Sequence, residues 1–262
     1  MTRRNRQNCS YDETRRGFEM AKGTLRQILL LTDGCSNQGE DPVQVAADAY
    51  QSGIVVNVIG ILSDRHKERP KGLEEVERIA QAGGGVSRIV YPKALTETVQ
   101  MVTRQAMTHT IQGFLNKELQ QILGKGQEVE DLEPEARGEV MELVEDYGET
   151  CALNLAILVD TSASMESKLE TVKEALLDLS LSLTARVGDS TFCLNRFPSS
   201  YGGAEELLNW SPHLKDIQTI FPKLSCGGIT PTGPALQSAI AAFTEMHLTE
   251  RLYDDAEFIE EA

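Results

Sequence analysis

Residues 153–164 read LNLAILVDTSAS. LNLAILVD is a short apolar run with no polar alternation, which predicts a strand over 153–160 buried on both faces. Its end passes straight into oxygen-bearing side chains: Asp160, Thr161, Ser162 and Ser164. QILLLTDG (27–34) repeats the pattern, with a strand over 27–32 ending in Asp33-Gly34. IVVNVIGIL (54–62) is a third near-continuous apolar run. Strands of this kind belong to parallel sheets covered by helices on both faces.

The segments between them read accordingly. PVQVAADAYQSG (42–53) predicts a helix with Asp41 as its cap, Pro42 at its first position and Gly53 at its end. GLEEVERIAQAGGG (72–85) predicts a helix with a glycine stop, and VSRIVY (86–91) a strand. Leu95, Val99, Val102, Ile111, Leu115, Leu119 and Ile122 fall near helical spacing, predicting one long helix from Leu95 to Leu123. Another long helix is expected from Glu166 to about Val187. STFCLNRF (190–197) and ELLNW (206–210) read as a hairpin near one edge. HLKDIQTIFPKL (213–224) and GPALQSAIAAFTEM (233–246) read as helices around the loop SCGGITPT (225–232). The expected fold is therefore α/β: a doubly wound, mostly parallel sheet flanked by helices. No internal repeat is present.

Five regions follow. Residues 1–24 are a polar, Arg-rich leader, and 25–124 hold one set of strands and helices. Residues 125–150 are an acidic linker with a short helix near Ala136–Asp146; 151–246 hold the second set, and 247–262 form an acidic tail. The acidic runs read first as solvated segments. A net charge of −15 argues against nucleic acid as the main partner, because phosphate binding needs a basic face. No apolar run reaches the ~20 residues that span a membrane, and the basic start lacks the apolar stretch of a secretory signal. Cysteines 9, 35, 151, 193 and 226 are an odd set without CxxC spacing, which fits a reducing cytoplasm better than a disulfide framework or a zinc site. Histidines 66, 109, 213 and 247 are scattered.

In doubly wound sheets ligands bind beyond the carboxyl ends of the strands, where strand order reverses. Asp160, Ser162 and Ser164 follow one core strand and Asp33 follows another. Oxygen donors on alternate residues, two of them hydroxyls, suit a hard cation such as Mg²⁺, with carboxylates able to bind through water. Mn²⁺ is tolerated by the same donors. Each piece alone has a plainer reading: a helix cap for DTSAS, a turn for TDG, a loop entering a helix for GGITPTG.

Together, DxSxS at 160–164, the GG-x-TPTG loop at 227–233 and TDG at 32–34 resemble the metal-ion-dependent adhesion site (MIDAS) of von Willebrand factor A (vWA) domains. The resemblance implies Ser162 and Ser164 as direct metal ligands, Asp160 and Asp33 as ligands through water, and Thr230 as direct or water-mediated. It leaves one position for water or for a carboxylate of a partner. In the family's order DxSxS comes first, then the threonine loop, then TDG; here TDG comes first. Joined as 151–246 followed by 25–124, the two sets make one complete domain, which implies circular permutation with 125–150 bridging the old ends. The stretch GTLRQILLLTDGCSN (23–37) is similar to a group of vWA proteins from spore-forming bacteria, implying a sporulation setting.

The function expected is a non-enzymatic, metal-dependent protein-binding module, a scaffold or regulator that captures a Glu or Asp of a protein partner. It would act as a monomer, with a swapped dimer of half-domains as the alternative. A Mg²⁺-dependent phosphohydrolase or phosphotransferase is a second reading. It lacks a DxDxT motif, a P-loop, a GxSxG elbow and a histidine within the site motifs. A vWA fold with a vestigial site is the third. Cys35 and Cys226, near Asp33 and Thr230 in sequence, are candidates for a redox-sensitive rim.

Overall fold

The computed structural model describes residues 23–62, 70–123, 129–199, 202–214 and 217–260. Most of the 1–24 leader, Cys9 and His66 lie outside them, as do the side chains of Leu119, Ile122 and residues 247–260.

Six strands form one sheet: β1 (Leu25–Thr32), β2 (Val55–Ile61), β3 (Gly84–Val90), β4 (Leu153–Asp160), β5 (Ser190–Phe197) and β6 (Glu205–Ser211). Their order is β3-β2-β1-β4-β5-β6. All neighbours are parallel except β5 and β6, the antiparallel edge pair expected from 190–210. β1 continues outward to β2 and β4 continues outward to β5, so the order reverses between β1 and β4. Leu31 pairs with Val159, so Thr32 and Asp160 end their strands side by side.

The helices are α1 (Pro42–Gln51), α2 (Pro70–Ala82), α3 (Leu95–Leu123), α4 (Pro134–Thr150), α5 (Leu169–Thr184), α6 (Ile217–Ile220) and α7 (Thr232–Glu260). They cover both faces because side chains alternate along a strand. Leu29 and Leu31 of β1, with Leu155, Ile157 and Val159 of β4, pack against Val99 and Val102 of α3 and Val172, Leu176 and Leu179 of α5. Ile28, Leu30, Ala156 and Leu158 face the other way, against Val45 and Ala49 of α1, Val76 and Ile79 of α2, and Ala235, Leu236, Ala239 and Phe243 of α7. Burying a Leu, Ile, Val or Phe side chain stabilises the fold by roughly 1.5–3 kcal/mol, and these two layers hold most of the buried apolar side chains.

Several element ends differ from the sequence reading. Asp41 caps α1 as expected, accepting from Val43 N at 2.9 Å. The helix expected from Glu166 begins instead as a 3₁₀ turn over Ala163–Lys168, followed by α5. The helix expected over 213–224 shrinks to α6 and a 3₁₀ turn at Phe221–Lys223, where Pro222 disfavours continued α geometry in the residue before it.

Helix α4 is longer than the Ala136–Asp146 segment read within the acidic stretch. Val140 and Val144, one turn apart, pack against Ile111, Leu115 and Val129 in a small separate core. Arg186 ties the end of α4 to the start of β4. Its guanidinium donates to the Gly148 carbonyl at 2.6 and 3.0 Å, the Cys151 carbonyl at 2.8 Å and Ser190 Oγ at 3.0 Å. Helix α7 runs on to Glu260 through most of the stretch read as a tail.

Candidate functional site

Three loops meet beyond the carboxyl ends of β1 and β4. The first is the turn leaving β4. Asp160 is fully buried. Its Oδ2 accepts from Thr32 Oγ1 at 2.7 Å and its Oδ1 accepts from Ser162 N at 2.7 Å. Burial pushes the Asp160 carboxyl above its usual range; the Thr32 and Ser162 donors pull it back, and the charge of Asp33 adds to the upward push.

The second loop leaves β1. Asp33 Oδ1 accepts from Ser164 Oγ at 2.7 Å. Ser164 Oγ in turn lies 3.4 Å from Ser162 Oγ. Asp33 Oδ2 pairs with Lys168 Nζ, and both side chains are almost wholly buried. One chain of contacts thus links Asp33, Ser164 and Ser162, and a second links Asp160 to Thr32.

The third loop precedes α7. Thr230 is buried, and an ideal Cβ on Gly34 would lie 3.9 Å from its Oγ1, so its hydroxyl faces the Asp33-Gly34 turn. Asn37 holds this loop to the second: Asn37 N donates to the Thr230 carbonyl at 3.1 Å, and Thr230 N donates to Asn37 Oδ1 at 2.8 Å. Gly227 N donates to the Thr161 carbonyl at 2.9 Å and so ties it to the first. Gly233 permits the approach of α7, because a Cβ there would stand 2.1 Å from the Glu40 carbonyl oxygen.

Comparison with known proteins agrees with this architecture. The family model described as von Willebrand factor type A domain matches residues 12–89 and 153–188. YabS of Bacillus subtilis (strain 168) is 54% identical over 238 residues, 91% of this chain and 97% of that protein. The chain belongs to the vWA domain family. A crystal structure of a protein from Alicyclobacillus acidocaldarius subsp. acidocaldarius DSM 446 is similar at a TM-score of 0.79 and 41% identity, over 86% of this chain and 96% of that one.

In this vWA domain the five residues singled out in the sequence, Asp160, Ser162, Ser164, Thr230 and Asp33, lie on the three converging loops. Among the described residues no group of three or more His, Cys, Asp and Glu could hold a metal. The donors here are two carboxylates and three hydroxyls. That all-oxygen set fits a hard divalent cation. Adjacent ligands of an octahedral ion with ~2.1 Å bonds stand about 3.0 Å apart, so Ser162 Oγ and Ser164 Oγ need to close by only a few tenths of an ångström.

Sequence reasoning missed Thr32, Asn37 and Lys168. Thr32 had a readable signal, since it ends the strand beside the one that ends in Asp160. Cys35 and Cys226 are both partly exposed. Burial raises the Cys226 thiol, and the nearby charges of Glu166, Asp160 and Asp33 push it the same way. A thiol so disposed forms less thiolate and is less reactive, which weighs against a redox-sensitive rim.

Proposed function

We propose that this vWA domain is a non-enzymatic protein-binding module with a MIDAS-type site, built from a circularly permuted chain. Ser162, Ser164 and Thr230 would supply hydroxyl ligands; Asp160 and Asp33 would hold waters around the ion. The convergence of all five on the β1–β4 reversal point carries the reading. A bound Mg²⁺ or Mn²⁺ would supply an electrophilic position for a Glu or Asp carboxylate of a partner protein. Asp160 and Asp33 are committed to hydrogen bonds within the chain, which fits holding a ligand shell better than attacking a substrate.

The permutation is supported by the sheet order. Strand β4 precedes the DTSAS turn and lies beside β1, which precedes TDG, while α4 bridges the two sets. The chain would work as a monomer, in the cytoplasm of a bacterium, and the sporulation setting implied by the resemblance travels with this proposal.

Thermal unfolding with added Mn²⁺ or Mg²⁺ tests the binding reading. A ligand that binds only the folded state adds about 2.7 kcal/mol at a hundred times its Kd. Wild type should unfold at a higher temperature with metal and return to its starting value with EDTA, and Ser162→Ala/Ser164→Ala should not respond. Equal response in both proteins would refute the site.

A further inference from the structure

The proposed function leaves Lys168 without a role. It closes the 3₁₀ turn after Ser162, and its side chain is 4% exposed. A lysine on this turn could extend into water at little cost. Instead Nζ donates to Asp33 Oδ2 and to the Ser164 carbonyl, the latter at 3.3 Å. The ammonium therefore touches two of the five residues assigned to the site. That placement is adverse for metal affinity alone, since an ammonium repels a divalent cation.

We propose that Lys168 sets the charge of the site so that its open position prefers an anionic ligand, a carboxylate, over water. The inference rests on the metal-binding reading above. Among the buried groups two carboxylates balance a divalent ion, and Lys168 then leaves one positive charge over; Glu166 stands on the exposed rim, where solvent screens it. The side chains of Lys168 and Asp33 are nearly removed from water, where charges act more strongly than in bulk, while Ser164 faces solvent. The chain as a whole carries −15, which repels an acidic partner at long range, so this local excess is what a carboxylate would meet at contact. Lys168 is a positioning and specificity residue on this account: it weakens metal binding while strengthening carboxylate binding. A structural prop would support both or neither.

The test uses Mn²⁺ as metal and acetate as carboxylate probe, on wild type, Lys168→Met and Lys168→Arg. Calorimetry gives Mn²⁺ affinity. Water-proton relaxation reports acetate, because a carboxylate that displaces a water bound to Mn²⁺ lowers it. Lys168→Met should bind Mn²⁺ about tenfold or more tighter and need about tenfold or more acetate for half the relaxation drop. Lys168→Arg, which keeps the charge, should stay near wild type in both. If circular dichroism finds Lys168→Met unfolded, Lys168→Gln carries the same two readings. Both quantities unchanged, or both weakened, would overturn the proposal while leaving the metal site intact. Wild type that binds no Mn²⁺ would overturn the metal-binding reading beneath it.

Discussion

Asp160→Asn should stabilise the metal-free protein. Asp160 is a fully buried carboxylate whose pKa burial has raised, so keeping it ionised at neutral pH costs folding free energy. Asparagine has the same shape and fits the same partners. Its carbonyl oxygen can accept from Ser162 N, as Oδ1 does now, and its amide can donate to Thr32 Oγ1. The Thr32 hydroxyl then turns to the Gly34 carbonyl, already 3.4 Å away. One amide N–H gains a partner in Thr32 Oγ1 and the second is the cost of the exchange, but the buried charge is gone. Relief of this kind at a functional site is worth roughly 0.5–2 kcal/mol. In a domain of this size each kcal/mol moves Tm by about 2–4 °C.

The pH dependence fixes the sign. A raised carboxyl pKa gives stability that is fully present below the unfolded-state pKa and is lost as pH rises through the folded-state value. Wild type should therefore gain on the variant as pH falls, so the gap in Tm is widest near pH 7 and narrows into acid. The assay is thermal unfolding in EDTA from pH 7 down to about pH 4. A lower Tm for Asp160→Asn at pH 7, or a gap that widens in acid, would refute the reasoning.

Gly233→Ala places a methyl against the Glu40 carbonyl, so the loop between β1 and α1 must shift; we expect a loss of about 1–3 kcal/mol and a weaker Mn²⁺ response in the same thermal scan. Arg186→Met removes the donors to Gly148, Cys151 and Ser190 and should cost about 1.5–3 kcal/mol. Because Arg186 sits at the far end of β4, about 25 Å from Asp160 along the strand, the Mn²⁺-induced shift should stay at its wild-type size. Light scattering at low protein concentration should give a monomer; a strict dimer would favour exchange of half-domains between chains.

The sheet was legible because β1, β2 and β4 are apolar on both faces and alternate with helical segments, the pattern of a covered parallel sheet. The site was legible because Asp33 and Asp160 each follow such a strand directly, and strand-end position is readable in sequence. Lys168 was not. Whether a lysine four residues beyond Ser164 turns inward depends on the 3₁₀ path of the chain there, and the sequence reads equally well as an α-helix with that lysine in water. Asn37 was hidden for a different reason: its partner Thr230 is distant in the chain, and an Asn in a short loop between Gly34 and Gly39 reads as an ordinary turn residue. The acidic stretch was harder to read because its charges dominate, while its buried core residues, Val129, Val140 and Val144, are few.

The central claim is that the loops after β1 and β4 and before α7 form one divalent-cation site. Crystals grown with Mn²⁺ and measured for anomalous scattering test it most directly. The account predicts one strong anomalous peak among Ser162, Ser164, Thr230, Asp33 and Asp160, lost in Ser162→Ala/Ser164→Ala. A wild-type crystal with no peak there, at Mn²⁺ concentrations that saturate ordinary MIDAS-type sites, would contradict it.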